Sequence, residues 1–409
     1  MATQKEPSLR GTKQSVALVP KLRFKEFEGE WEQKKLGDVS SKVAYGMNSA
    51  AITFDGKHKY LRITDIDEET REFIPNPLTS PDGLIEDKFK MKLNDIVFAR
   101  TGASTGKSYL YNPKDGDLYY AGFLIKVNIL KANSYFIYSQ TFKESYRKWV
   151  QVYSMRSGQP GLNAEEYKNL KISISQDEEQ QKIANFLTAV DAKLQQLTTK
   201  KELLAQYKKG VMQQLFSQQL RFKADDGEDF ADWEEKRLGE VVTRIGDGIH
   251  STPKYDENGK YFFVNGNNLT KGKIIVNEST KKVNKSEFEK HKRDLGHNTI
   301  LLSINGTIGN IAFYDDEDIV LGKSACYINL KNSINLYFTY YLYSELTGST
   351  IKNLSLKTIR ETKLKLPCFE EQQKIATYLS AIDAKIELVN MQITKTQQFK
   401  KGLLQGMFV

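Results

Sequence analysis

Cysteine is nearly missing from this chain of 409 residues: only Cys326 and Cys368 occur, far apart and with no pair of histidines nearby. That argues against a disulfide framework and a Cys/His zinc site, and it fits a reducing, cytoplasmic setting. His58, His250, His291 and His297 are scattered along the chain, so none is read as a metal ligand or a catalytic base. Long apolar runs are absent too. The short one at Val16 to Val19 sits in an N-terminal stretch, residues 1–20, that mixes Lys5, Glu6, Arg10 and Lys13. This is far below the length of a membrane span and reads as a disordered tail.

Several chemical signatures are also missing. Acidic residues are numerous, but no spacing singles out a nuclease carboxylate cluster. There is no Asn-Pro-Pro-Tyr/Phe run of the kind adenine methyltransferases carry, and no glycine-rich cofactor loop at a strand end. Gly102-Ala-Ser-Thr-Gly-Lys-Ser108 approaches a phosphate loop. That motif needs four residues between its glycines so that backbone N–H groups can wrap the phosphates, and here there are three. It reads instead as a tight turn after a strand. No metal and no cofactor is expected in this chain.

What is present is a folded profile, with 39% hydrophobic and 27% charged residues over a length that calls for more than one domain. Sixty Lys and Arg against 51 Asp and Glu leave a net charge of +9. This leans toward a polyanionic partner without deciding it.

The decisive feature is repetition. Glu178-Glu-Gln-Gln-Lys-Ile-Ala184 returns as Glu370-Glu-Gln-Gln-Lys-Ile-Ala376, and the match runs without a gap, 192 residues out of step, to Phe216 and Phe408. Of its 39 aligned pairs, 18 are identical. Ahead of each half stands a lead-in segment: Leu22-Arg-Phe-Lys25 with Trp31, then Leu220-Arg-Phe-Lys223 with Trp233. The regions between share a fainter skeleton, Tyr60-Leu-Arg-Ile63 against Tyr261-Phe-Phe-Val264, and Asp95–Gly102 against Asn298–Gly306 with a one-residue slip. One fold carries two different surfaces.

In the first long repeat, Ile183, Val190, Leu197, Leu204 and Val211 recur at a strict spacing of seven, flanked by Phe186, Leu187, Leu194, Tyr207 and Leu215. In the second the seam is Ile375, Leu379, Ile382, Ile386, Val389, Ile393, Phe399 and Leu403, interrupted by Thr396. Each is a helix with one apolar seam that must be covered. At 1.5 Å per residue such a helix reaches about 58 Å. Two of them in a direct repeat pack most easily antiparallel, which creates a pseudo-twofold axis.

The regions between are rich in short β-like runs: Ile96–Ala99, Leu124–Ile129, Ile274–Val276, Thr299–Leu302, Ile319–Leu321 and Tyr327–Leu330. Helical stretches at Ser134–Val152 and Asn335–Leu346 intervene. The expected fold is α+β: two globular domains at residues 21–176 and 220–368, joined by helical spacers at 177–219 and 369–409.

This order of variable domain, repeat, variable domain, repeat, opened twice by Glu-Glu-Gln-Gln-Lys-Ile-Ala, resembles the specificity subunit of type I restriction-modification enzymes over about residues 20–409. The resemblance implies a non-catalytic reader of double-stranded DNA in which each target-recognition domain takes one half of an asymmetric, interrupted site. The helices would act as spacer and ruler. It also implies two modification (methyltransferase) subunits that use S-adenosylmethionine and two restriction subunits that use ATP and Mg. Half-sites on one face of B-DNA lie roughly 34–36 Å apart, the same order as the helix pair. Two other classes stay open: a fused restriction-methylation enzyme and a coiled-coil adaptor that binds no DNA.

Candidate readers follow from residue chemistry. Arg and Lys can bond guanine edges, and Asn can pair with adenine. In the first domain they are Tyr45, Asn48, Arg62, Thr64, Arg100, Thr101, Lys107, Arg156 and Gln159. In the second they are His250, Ser251, Thr252, Lys254, Asn265, Asn267, Asn305, Thr307, Asn310 and Lys323. For any one of them, an ordinary solvated turn residue is the competing reading.

Overall fold

The computed structural model describes residues 17–41, 43–306, 308–346 and 355–409. They fall into two units, one made of the described residues up to Gln196 together with Gln392–Val409, the other of Leu197–Met391. Both are built on the same plan.

The first unit centres on a four-stranded antiparallel sheet in the order Ala44–Tyr45, Leu124–Asn128, Asp95–Ala99, Ser108–Leu110. The second repeats it as Val242–Asp247, Ala325–Leu330, Thr299–Ser303, Ile311–Phe313. Alternation along the central strands sorts the side chains between two cores. Ile96 and Phe98 join the core that includes the long helices, while Val97 and Ala99 join a core with Leu61, Leu118 and Tyr120. Ile300 and Leu302 are divided from Leu301 in the same way.

Matching hydrogen bonds refine the register read from sequence. Leu61 pairs with Tyr120 as Val264 pairs with Leu321. Tyr60 therefore corresponds to Phe263, two places on from Tyr261. Of the predicted strands, Ile274–Val276 is the one not formed as expected: the strand is only Lys273–Ile274, and Ile275 and Val276 are exposed. The predicted helix Ser134–Val152 is two helices, Ser134–Gln140 and Glu144–Ser154. The break is made by Thr141, whose hydroxyl bonds back to Tyr138 O at 2.7 Å and pairs with Ser108 Oγ, tying the helix end to the sheet edge.

Each lead-in segment runs into a strand just after its tryptophan. Glu32–Lys35 pairs antiparallel with Lys171–Ile174, and Glu234–Arg237 with Lys363–Leu366. Order begins before residue 21: Leu18 O accepts the Trp31 N–H, and Pro20 is buried. Residues 1–16 of the expected tail lie outside the described residues.

The long repeats are helices Asp177–Phe216 and Phe369–Gly406, each opening on acidic residues that suit the positive end of a helix dipole. Their packing is antiparallel within each unit. In the first unit the start of the first helix lies with the end of the second, so that Ile183 and Leu187 share a core with Leu403 and Met407. In the second unit Ile375, Leu379 and Ile382 share one with Val211 and Leu215. Ile183, Leu197, Ile375, Ile382 and Val389 are buried, and Val190, Leu204 and Ile393 half-buried. Phe399 does not belong to the seam and is 54% exposed. The seven-residue frame passes instead through Thr396 and Lys400, both half-buried.

The repeated motif closes each unit with a buried carboxylate. Glu179 accepts Arg23 Nε at 2.7 Å, Arg23 Nη2 at 2.9 Å and Trp31 Nε1 at 3.1 Å. Glu371 accepts Arg221 Nε at 3.2 Å, Arg221 Nη2 at 2.8 Å and Trp233 Nε1 at 3.1 Å. Hydrogen bonding to these carboxylates raises both guanidinium pKa values above the ordinary arginine range. Next in the motif, Gln180 accepts the Asn133 N–H and Gln372 that of Asn335. Asn133 and Asn335 in turn cap helices Ser134–Gln140 and Leu336–Leu346 by accepting the N–H groups of Phe136 and Phe338. The tryptophans pack on Phe136 and Phe338, against which Phe408 and Phe216 also pack.

Candidate nucleic-acid interface

At one end of each sheet three loops converge, and their main chains are fixed by the same bonds in both units. In the first, Gly46 N donates to Leu124 O, Met47 N to Tyr120 O, Leu124 N to Ala121 O and Arg100 N to Phe123 O. In the second, Gly248 N donates to Ala325 O, Ile249 N to Leu321 O, Ala325 N to Gly322 O and Ile304 N to Ser324 O. Gly46 and Gly248 hold equivalent places, and only glycine fits them. A Cβ would come within 2.1 Å of Ala121 O in one and 2.2 Å of Leu321 O in the other. The shared frame makes Asn48 the counterpart of His250, Arg62 of Asn265, Arg100 of Ile304, Thr101 of Asn305, and Phe123 of Ser324.

Within the first unit the frame gathers several predicted readers. The guanidinium of Arg100 lies 4.9 Å over the ring of Tyr45, a cation–π contact that holds the arginine at the surface. Tyr45 Oη accepts the Ala164 N–H. Exposed Asn48 stands beside the Ala121–Leu124 turn, since Gly122 N donates to Met47 O. The loop after Arg100 is pinned to the one holding Gln159: Gly102 N donates to Pro160 O and Leu162 N to Arg100 O. Thr101 is half-buried, and Gln159 and Thr64 are exposed. Arg156 is exposed and paired with Glu166 at 2.6 Å.

Two of the first-unit candidates are internal braces. Lys107 is 4% exposed, and its ammonium donates to Ile66 O at 2.7 Å and to Glu68 at 2.6 Å. That hydrogen bond from Lys107 holds the Glu68 carboxyl below the usual glutamate range. With its charge taken up inside the domain, Lys107 is removed from the reading set, and the loop before it cannot offer that lysine to a phosphate. Arg62 forks onto Asp65, with Nε at 2.9 Å and Nη2 at 2.6 Å, and the hydrogen bond to Asp65 raises its pKa. It holds its own turn, as Asn265 does by accepting from Ser324 Oγ at 3.0 Å.

In the second unit His250 is exposed, with Nε2 at 2.7 Å from Asp247. Ser251, Thr252, Lys254, Asn267, Asn305 and Lys323 are exposed as well, and Asn310 is half-buried. Thr307 lies outside the described residues. The turn ahead of Asn310 is one residue shorter than its first-unit counterpart, closing from Gly309 N to Ser303 O where the other closes from Gly106 N to Ala99 O.

Sequence reasoning missed Phe123, 60% exposed in the middle of the first face. It also missed the roles of Arg23, Arg221, Glu179 and Glu371, although all four recur between the halves. No group of His, Cys, Asp and Glu among the described residues could hold a metal ion, and none of the described helices is long and apolar enough to cross a membrane.

A family model described as the type I restriction modification DNA specificity domain matches this chain twice, at residues 28–205 and 231–397. The type I restriction enzyme MjaVIII specificity subunit of Methanocaldococcus jannaschii is 26% identical, over 93% of this chain and 94% of that one. The putative MjaX specificity subunit of the same organism is 24% identical, over 94% of each. Among solved structures, the S subunit of a type I restriction-modification system from M. genitalium aligns with a TM-score of 0.57 at 18% identity, covering 96% of this chain and 99% of that one. A chain from a structure on complex assembly and conformational transition of the type I R-M system gives 0.53 at 17% identity, covering 92% and 98%. These structural likenesses are likenesses of fold.

Proposed function

The chain belongs to the type I restriction-modification DNA specificity family, with two copies of the family's domain, and from that premise we propose that each recognition domain reads one half of a bipartite, asymmetric site. It is the sequence-specificity subunit of its system, the member that reads DNA and not the one that catalyses. The observation that carries the half-site reading is the doubled frame: the same main-chain turns appear in both units with different side chains mounted on them. Phosphate contacts position such a protein, while differing side chains at base edges choose the sequence.

Tyr45, Asn48, Thr64, Arg100, Thr101, Arg156 and Gln159 form the proposed first reading set. His250, Ser251, Thr252, Lys254, Asn267, Asn305, Thr307, Asn310 and Lys323 form the second, with Arg62 and Asn265 shaping the loops beside them. The domains are bounded at 21–176 and 220–368, and the helices set the distance between half-sites and dock the modification subunits. The full assembly has two modification subunits using S-adenosylmethionine and two restriction subunits using ATP and Mg, and works in the cytoplasm.

Exchanging residues 40–175 for the variable domain of another family member, then mapping methylated adenines across the genome, tests this. One half-site is expected to change. A change in both, or in neither, overturns the reading. Inserting a helical turn between Thr198 and Leu203 is expected to lengthen the gap between half-sites while leaving the bases read unchanged.

A further inference from the structure

We propose that Phe123 is a specificity-determining residue of the first recognition domain, making apolar contact with the 5-methyl group of a thymine next to the base pair addressed by Arg100. The inference rests on the half-site reading above and adds a residue and a chemistry to it.

Phe123 stands in the Ala121–Leu124 turn and is 60% exposed. A large ring in that position has no packing duty. It belongs to none of the hydrophobic cores of its unit, and it is absent from the ring contacts that join Trp31, Phe136 and Phe408. The second unit supplies the control. The equivalent turn, closed by the same Ala325-to-Gly322 and Ile304-to-Ser324 main-chain bonds, carries Ser324. The fold therefore does not call for an aromatic side chain at this place.

The main chain that carries the ring is nevertheless fixed. Its own carbonyl accepts the Arg100 N–H at 3.0 Å, and the next residue is held through Leu124 N to Ala121 O at 2.8 Å. The backbones of Phe123 and Arg100 are thus paired side by side, with the Arg100 guanidinium braced on Tyr45. An arginine at a reading face suits the two acceptors of guanine in the major groove. A ring held beside it meets the same groove, where the one apolar group on any base pair is the thymine methyl. Ser324 offers no such surface, so the contact belongs to the first half-site alone.

The test uses the full-length chain assembled with its modification subunits and duplexes carrying the mapped site. Each thymine of the site is replaced singly by deoxyuridine, which deletes the methyl and nothing else. One replacement in the first half-site is expected to weaken binding by about fourfold, the worth of one buried methyl-sized group. Phe123→Ser, which installs the residue found at the equivalent turn, is expected to bind the natural duplex about as weakly. It should lose nothing further on the deoxyuridine duplex. Wild type indifferent to every first-half replacement, or a variant as sensitive as wild type, overturns the proposal. The domain exchange keeps the two ideas apart: if it changes one half-site and the deoxyuridine series is silent, only the role of Phe123 falls.

Discussion

The ammonium of Lys208 lies 2.6 Å from Asp383, and the same pair returns 192 residues out of step as Lys400 and Asp191 at 2.5 Å. Each aspartate also accepts a tyrosine hydroxyl from its own recognition domain, Tyr341 on Asp383 and Tyr135 on Asp191. Lys208 and Lys400 occupy places in the seven-residue frame where an apolar residue would otherwise sit. A polar group there costs some stability and selects one register out of several. A double-mutant cycle with Lys208→Met and Asp383→Asn is expected to show a coupling of about 1 kcal/mol in urea denaturation. Coupling near zero would mean the pair does not help choose the register.

Glu179 and Glu371, each clamping an arginine and a tryptophan, are costly positions to disturb. Glu179→Gln leaves Arg23, itself largely buried, without its counter-charge, and breaking such a pair costs about 3 kcal/mol. Trp31→Phe removes one hydrogen bond to the same carboxylate and should cost about 1 kcal/mol. Denaturant melts of the two variants rank them. A smaller loss for Glu179→Gln than for Trp31→Phe would contradict the clamp.

Arg100 and Lys107 separate reading from bracing. Arg100→Ala should weaken binding by about 1–3 kcal/mol for sites with the native first half and leave the melting temperature almost unchanged. Lys107→Met should lower thermal stability and leave half-site preference intact. Competition binding against sites altered in one half at a time, with a melt on the same samples, distinguishes them.

The Glu68–Lys107 contact makes a pH prediction with a definite sign. Glu68 is lowered in the folded protein, so its contribution is fully present above the ordinary glutamate value of 4.5 and is lost as pH falls through the lower folded value. Wild type should be more stable than Glu68→Gln at neutral pH, and the gap should close on acidification below about pH 4.5. A gap that stays constant from pH 7 to pH 3 would show that the ionised carboxylate does not matter.

Much of the fold was legible because repetition exposes it. The helices, their seven-residue frame and most strands follow from spacing alone, and Trp31 with Trp233 marked the start of each half. Phe399 was misassigned because hydrophobicity was followed where the frame was carried by Thr396 and Lys400. The site was less readable. Lys107 and Arg62 look like readers in sequence, yet their partners, Glu68, Ile66 O and Asp65, are fixed by how the 62–68 segment folds against the sheet. Phe123 left no trace in periodicity, since an exposed ring on a turn belongs to no pattern. Its meaning comes from comparing two turns that only three-dimensional register aligns.

That comparison bears on how such a molecule can change over generations. The turns of both faces are held by main-chain hydrogen bonds and by Gly46 and Gly248, so exposed side chains mounted on them, such as Asn48, Phe123 and His250, lie outside the packed cores. With a domain's total stability only about 5–15 kcal/mol, a surface that drifts without drawing on that reserve can explore many substitutions that a core cannot. The address is written in ink that washes off; the paper underneath is held by Glu179 and Glu371.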